Sequence, residues 1–165
     1  MEIKLVRVKP QEKDTLSILL KAYKVELNEM QHAGDKDQGE YKYLDSYWRE
    51  KNRFPFFIFS DNILAGFVLI NDYSYISKKA KTIAEFFVLK SYRKKGIGEE
   101  AARKIFDLFP GEWEIGELIT NKSAQLFWRK VIGNYTNGNY MEVELYNERW
   151  HGPVQIFKNK NLGKL

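Results

Sequence analysis

The sequence lacks cysteine, contains only two histidines among its 165 residues, and has no long apolar run. Without cysteine there are no disulfide bonds, no thiolate metal sites and no cysteine nucleophile. His32 and His151 are far apart in the sequence, so we expect no histidine-rich metal centre and no metal cofactor.

The longest apolar stretch, Ile63 to Ile70, is eight residues long and is interrupted by Gly66. It is too short to cross a bilayer, so we expect no membrane partner. The N-terminus alternates polar and apolar residues and does not resemble a signal peptide. A cytoplasmic location is therefore expected by default.

Positive charge exceeds negative charge only slightly, with 27 lysines and arginines against 22 aspartates and glutamates. A formal charge of +5 suits a small anionic ligand. The basic runs Lys78-Lys79 and Arg93-Lys94-Lys95 are short. We therefore expect no nucleic-acid partner, and we keep a basic nucleic-acid-binding domain only as an alternative.

The apolar spacing predicts the element order β-α-α-β-β-β-α-β-α-β-β, which is typical of a mixed α/β domain. The same pattern predicts an aromatic-rich second helix over Tyr41 to Lys51 and a last helix over Lys122 to Val131 that Gly133 ends. The segment Thr82 to Leu89 is almost continuously apolar and predicts a central strand covered on both faces.

The most informative segment is the glycine-containing basic turn that joins this strand to the next helix. The first amides of a helix lack internal partners and carry partial positive charge, so they form an anion site when turned towards a phosphate. Gly96 and Gly98 leave the backbone open to close approach. No P-loop spacing is present, and the third glycine of a dinucleotide fingerprint is replaced by Ala101. The alternative is an ordinary strand-to-helix turn with surface lysines.

Arg93-Lys94-Lys95-Gly96-Ile97-Gly98 resembles the Arg/Gln-x-x-Gly-x-Gly/Ala motif of the GCN5-related N-acetyltransferase (GNAT) superfamily. The segment Asn121 to Lys130 resembles the Asn-x-x-Ala-x-x-Leu/Phe-Tyr-x-Lys block of the same superfamily. The resemblance implies the GNAT (acyl-CoA N-acyltransferase) fold, with a mixed central sheet of six to seven strands and about four helices. It covers nearly the whole chain, so we expect one N-acetyltransferase domain over residues 1–165.

The resemblance further implies acetyl-CoA as cosubstrate and an amine of a small molecule, peptide or protein as acceptor. Family members often dimerise, which leaves a homodimer open. Asn121 has an equally good interpretation as a helix cap, and Phe127 as a packing residue. The cofactor-binding residues that the resemblance implies are Val88, Leu89, Arg93, Lys94, Lys95, Gly96, Ile97, Gly98, Glu99, Asn121 and Phe127.

Acetyl transfer to an amine needs a base, a polarised thioester carbonyl and protonation of the departing thiolate. Glu85 is the first candidate base, because a charge inside the run Ile83 to Leu89 is costly unless it is paired or used. Glu117, in the neighbouring apolar strand, is the second. For both, the structural alternative is a glutamate in an ion pair or at an exposed edge.

Trp128 replaces the tyrosine that many family members carry after the position of Phe127. That tyrosine is thought to protonate the thiolate, and an indole N–H cannot supply a proton at neutral pH. Tyr135, Tyr140 or water would then act instead, or the protein binds CoA and catalyses nothing. We expect the acceptor pocket to be lined by aromatic side chains, with the loop 34–39 as a lid. These side chains are Tyr41, Tyr43, Tyr47 and Trp48, and the alternative is that they pack in the core.

Overall fold

The structure, a computed structural model, describes residues 1–31 and 40–159. In these residues the chain forms seven strands and four α-helices in the predicted order, with two short 3-10 helices. The predicted α/β fold is thereby confirmed. The strands are β1 (Ile3–Arg7), β2 (Arg53–Ser60), β3 (Ile63–Asn71), β4 (Thr82–Val88), β5 (Glu112–Gly116), β6 (Met141–Tyr146) and β7 (His151–Lys158). The helices are α1 (Lys13–Gln31), α2 (Ser46–Arg49), α3 (Ile97–Leu108) and α4 (Lys122–Thr136).

The strands form two sheets, with orders β1-β2-β3-β4 and β5-β7-β6. β1 and β2 are antiparallel, as are both pairs made by β7. A single parallel bridge joins Lys81, just before β4, to Trp113 of β5. The chain clusters into two compact units, residues 1–70 with 84–97 and residues 71–83 with the chain from 98 onward. The expectation of one domain stays a prediction.

The first unit is organised around an apolar cluster between α1 and the four-stranded sheet. The β2–β3 hairpin turns at Asp61 and Asn62, whose φ angles of 48° and 66° suit a tight two-residue connection. Aromatic side chains of the sheet then meet Tyr23 of α1, whose ring centroid lies 5.9 Å from that of Phe67. The buried cluster comprises Val8, Leu16, Leu19, Leu20, Leu44, Tyr47, Phe57, Phe67, Leu69 and Phe87.

The second unit is built around Phe106 of α3. Its ring lies 5.0 Å from that of Trp113 and 4.9 Å from that of Phe157, both in edge contacts. Such aromatic pairs add to the stabilisation that their burial gives. Glu114 is also buried in this unit, and its carboxylate accepts the backbone N–H groups of residues 75, 76 and 77 at 2.7–2.9 Å.

Two predicted helices are wrong in extent. The helix expected over Tyr41 to Lys51 is reduced to the four residues of α2, and turns precede it. The last helix does not stop at Gly133 but continues to Thr136. It ends there because Asn137 adopts a left-handed φ of 52°, and the Gly138 amide donates to the Gly133 carbonyl.

Three expectations concern features beyond these elements. None of the described helices is long and apolar enough to cross a membrane. The cytoplasmic location stays a prediction. The predicted lid over residues 34–39 lies outside the described residues.

Candidate active site

The turn between β4 and α3 has the backbone geometry of an anion site. Lys94 and Gly96 adopt left-handed φ angles of 59° and 80°, and Ile97, buried at the start of α3, anchors the helix that follows. No described residue accepts a hydrogen bond from the amides of residues 94, 95 and 96. A Cβ built on Gly96 meets no atom within 4 Å, so the space beside this residue is open. The residues present therefore fit a phosphate group.

The basic side chains of the turn are mostly used to hold its shape. Arg93 pairs with Glu26 of α1 at 2.8 Å, and its Nε donates to the Val88 carbonyl at 2.7 Å. The Lys95 ammonium donates to the Ser91 carbonyl at 2.9 Å. The exposed Lys94 forms no ion pair with any described residue, so the backbone and Lys94 supply the positive field.

Glu99, in the first turn of α3, directs its carboxylate towards α4. It accepts a hydrogen bond from Asn134 at 2.8 Å and pairs with Lys130 at 3.1 Å. The Asn134 bond and then the Lys130 contact lower the pKa of the Glu99 carboxyl. Its negative charge is thus neutralised by residues of the same unit.

The end of β4 lies unusually close to β3. A Cβ on Gly66 would lie 2.0 Å from the Phe87 carbonyl oxygen, so only glycine allows this approach. The Leu89 amide donates to the Ala65 carbonyl at 2.8 Å. The Val88 carbonyl, which already accepts from Arg93, keeps a second lone pair for another donor, whereas the Leu89 amide is used within the sheet.

Glu85 lies in β4 and is half-buried. Tyr41 donates its hydroxyl to Glu85 Oε1 at 3.4 Å, and Tyr23 forms a further hydrogen bond. Burial raises the pKa of the Glu85 carboxyl to about 7, although the tyrosine hydrogen bonds and the charge of Lys24 act in the opposite direction. A carboxylate with this pKa suits general-base work near neutral pH.

Glu117 follows β5, and its side chain is only 3% exposed. Neither carboxylate oxygen has a well-formed hydrogen bond among the described residues, and the nearby Gln155 amide donates to Glu142 at 2.8 Å instead. Burial raises the pKa of Glu117 to about 8; Gln155 and Arg129 lower it, and the charge of Glu142 raises it. Glu117 is therefore mostly protonated at pH 7.

The remaining predicted residues lie on α4 in the second unit. Asn121 caps the helix, because its side-chain oxygen accepts the Ala124 amide at 3.1 Å. Phe127 is half-buried and packs edge-on against Trp128 at 4.9 Å. Trp128 is 6% exposed and lies 6.4 Å from the Phe106 ring, so a core side chain occupies the position of the family tyrosine.

The two substitute tyrosines differ in their surroundings. Tyr135 donates its hydroxyl to Asp107 at 2.9 Å. Burial, and then the hydrogen bond and charge of Asp107, raise the pKa of Tyr135 and make it a poorer proton donor. Tyr140 lies beside Gly133 and near the Arg129 guanidinium, whose pKa is raised first by the Glu142 hydrogen bond and to a smaller extent by Tyr140. No cluster of three metal-binding side chains occurs within residues 1–31 and 40–159.

The family model described as the acetyltransferase (GNAT) family matches residues 19–133. The chain belongs to the GNAT acetyltransferase family. The match contains Glu85, Glu117, the turn of residues 93–98 and the block that begins at Asn121. A search of the curated proteins found no match to this sequence.

Solved structures with this GNAT fold are similar over nearly their whole length. An acetyltransferase from Thermus thermophilus has a TM-score of 0.70 at 10% identity and covers 96% of this chain and 98% of that chain. RimL, a ribosomal L7/L12 alpha-N-protein acetyltransferase in complex with coenzyme A, has a TM-score of 0.62 at 14% identity and covers 93% of this chain and 91% of that chain. Aminoglycoside acetyltransferase AAC(6')-Ib, with coenzyme A and kanamycin, gives 0.66 at 12%, covering 96% of each chain. At these identities the likeness establishes the fold alone.

Sequence reasoning missed three residues that shape the site of this GNAT protein. Glu26 pairs with Arg93 across 67 residues, and no local pattern marks it. Tyr23 of α1 packs against the apolar cluster, yet it also forms a hydrogen bond with Glu85. Gly66 was visible as a glycine inside a predicted strand, which is the usual signal of a close backbone approach.

Proposed function

We propose that the protein is an N-acetyltransferase that transfers an acetyl group from acetyl-CoA to a primary amine of a small molecule, peptide or protein. The observation that carries the proposal is the turn of residues 93–98, whose unpartnered amides and open Gly96 suit a diphosphate, in a chain of the GNAT family. Several structural neighbours carry coenzyme A in their own structures.

Acetyl-CoA supplies the thioester, and the protein supplies binding and proton transfer. The amides of the turn bind the diphosphate, and the Val88 carbonyl orients the pantetheine arm. Glu85 takes a proton from the amine, directly or through water. We favour Glu85 over Glu117 as base, because Tyr23 and Tyr41 donate hydrogen bonds that stabilise the ionised Glu85 carboxylate, whereas neither Glu117 oxygen has a well-formed hydrogen bond among the described residues. Cofactor contacts by Asn121 and Phe127, and a homodimer, stay predictions.

A second candidate is a catalytically silent CoA-binding module. Trp128 favours it, because this buried indole cannot protonate a thiolate and packs in the core beside Phe106. Such a module would bind acetyl-CoA without releasing CoA in the presence of any amine.

Release of the CoA thiol with a panel of small amines and peptides tests the proposal. We expect turnover, with kcat/KM rising with pH to a plateau above an apparent pKa near 7, because Glu85 must be ionised to accept a proton. Glu85→Gln should lower kcat/KM by about 10²–10⁴-fold and remove this inflection.

Glu144→Gln is the matched control, since Glu144 is an exposed residue of β6 and should leave the profile unchanged. Acetyl-CoA binding without thiol release from any amine would favour the silent module. Turnover that survives in Glu85→Gln with its inflection intact would exclude Glu85 as the base.

A further inference from the structure

Glu85 is reached by a hydroxyl from a part of the chain that is distant in sequence. Tyr41, 44 residues earlier, donates its hydroxyl to Glu85 Oε1 at 3.4 Å from the segment that precedes α2. Its side chain packs at the edge of the first unit's core, and its ring lies 6.2 Å from that of Tyr43. Packing alone would be equally well served by phenylalanine, so the hydroxyl needs a separate explanation.

We propose that Tyr41 is a positioning residue for Glu85, which together with Tyr23 orients the carboxylate and favours the ionised form that accepts a proton. The inference rests on the proposed function, in which Glu85 is the base. It changes the expected role of Tyr41 from lining an acceptor pocket to holding a catalytic group.

The charges around Glu85 support this role. The groups that face it are Tyr23 and Lys24 of α1 and Tyr41, and each stabilises the ionised carboxylate against the effect of burial. Burial and the Glu85 charge raise the pKa of Tyr41, so its hydroxyl remains a donor throughout the neutral range. A donor that bonds to the charged form of an acid lowers the pKa of that acid.

The Tyr41–Glu85 contact is a weak hydrogen bond as it stands. The oxygen separation of 3.4 Å is long for a hydroxyl bond, as is common in enzymes without bound substrate. Glu85 as a whole keeps some exposed surface. The hydroxyl of Tyr41 also lies close to that of the buried Tyr47 of α2.

The test compares Tyr41→Phe with Tyr43→Phe in the full chain, by carbon-13 NMR titration of the Glu85 carboxyl without acetyl-CoA. Losing the hydroxyl should raise the pKa of Glu85 by about one unit in Tyr41→Phe and leave it unchanged in Tyr43→Phe. In kinetic assays, Tyr41→Phe should lower kcat/KM about 8-fold at pH 6.5, and the loss should shrink towards pH 9, where Glu85 is ionised in both proteins.

An unchanged Glu85 pKa in folded Tyr41→Phe would overturn the proposal, as would an equal shift in Tyr43→Phe. The titration needs no turnover, so it reports on Tyr41 even if acetyl transfer is never observed. If Tyr41→Phe does not fold, the test is instead an NMR titration of the wild-type protein and of Glu85→Gln, with carbon-13 labels at the tyrosine ζ positions. The Tyr41 signal should then follow the Glu85 titration in the wild-type protein and lose that step in Glu85→Gln; a Tyr41 signal without the step would overturn the proposal.

Discussion

At the residue scale, Glu85 and Glu117 show how surroundings decide what a buried glutamate can do. Both lie among apolar residues in the sequence, which is why the sequence indicated them; the structure places Glu85 inside β4 and Glu117 just after the end of β5. Glu85 has two tyrosine donors and a nearby lysine, while Glu117 has no well-formed hydrogen bond among the described residues. Burial raises the pKa of Glu85 to about 7 and that of Glu117 to about 8, and hydroxyl donors to the ionised form are present only at Glu85 among the described residues.

Glu117→Gln should change how stability depends on pH. The unfolded chain releases the Glu117 proton near pH 4.5 and the folded chain near pH 8, so the free energy of unfolding falls as pH rises through this window. Glutamine cannot ionise and removes that fall. We expect the variant to gain on the order of a few kcal/mol over the wild-type protein between pH 5 and pH 9. Urea denaturation across this range measures it.

Glu144→Gln serves again as the exposed control and should run parallel to the wild-type protein. Glu85 contributes its own fall between pH 4.5 and 7, but it does so in all three proteins and cancels in the comparison. A Glu117→Gln curve parallel to that of the wild-type protein would mean that Glu117 titrates normally in the folded state.

The partners of these residues are beyond what the sequence alone could reveal. Tyr41 reaches Glu85 across 44 residues, and Glu26 reaches Arg93 across 67. Glu114 accepts three backbone amides that no side-chain pattern announces. Such contacts depend on how strands and helices are brought together, whereas an isolated charge in an apolar strand is a local signal.

At the scale of elements, the continuous apolar run from Thr82 predicted β4 almost to its last residue, but β4 lies at the edge of the four-stranded sheet and not at its centre. The aromatic run from Tyr41 misled the helix prediction, because Leu44 and Tyr47 are buried from a turn and a four-residue helix. Gly133 led to a wrong prediction of where α4 ends. Its backbone is not left-handed, and the termination signal lies four residues later at Asn137.

Gly66→Ala should disturb the β3–β4 pair. The added Cβ would lie 2.0 Å from the Phe87 carbonyl oxygen, so the backbone of β4 must move. We expect a loss of about 2–4 kcal/mol in the free energy of unfolding. Gly133→Ala, inside α4, is the control, because its added Cβ meets only Tyr140, at 3.9 Å. This substitution should stabilise the protein by about 0.5–1 kcal/mol. Equal effects of the two substitutions in denaturation would refute the close-approach explanation.

Gly96→Ala separates the fold of the phosphate turn from its binding function. Its Cβ enters open space, so only the left-handed φ of 80° is strained, at about 1–2 kcal/mol. The same methyl group would obstruct a phosphate at the neighbouring amides, and we expect acetyl-CoA affinity to fall about 10-fold by calorimetry. Gly138→Ala matches it, with φ of 79° and open space after α4. It should lose similar stability and keep full affinity; a parallel loss of affinity would argue against the turn as the binding site.

For the whole molecule, a formal charge of +5 is compatible with either a small anion or a polyanion. The two ligands differ in how their binding depends on salt. A nucleic acid releases many counterions when several phosphates are contacted, so its affinity falls steeply with salt concentration. A ligand that offers one diphosphate to one turn has few such contacts, and its affinity should fall more gently.

Thermal unfolding with each ligand decides between them. Acetyl-CoA at about 100 times its Kd should stabilise the folded protein by about 2.7 kcal/mol, which raises Tm by about 5–10 °C in a chain of this length. A single-stranded oligonucleotide at equal phosphate concentration should leave Tm unchanged. Gly96→Ala provides the internal control, because its shift at the same acetyl-CoA concentration should shrink. A salt-sensitive shift with the oligonucleotide and none with acetyl-CoA would mean that this GNAT fold binds a polyanion, and that the turn before α3 is an ordinary connection between strand and helix.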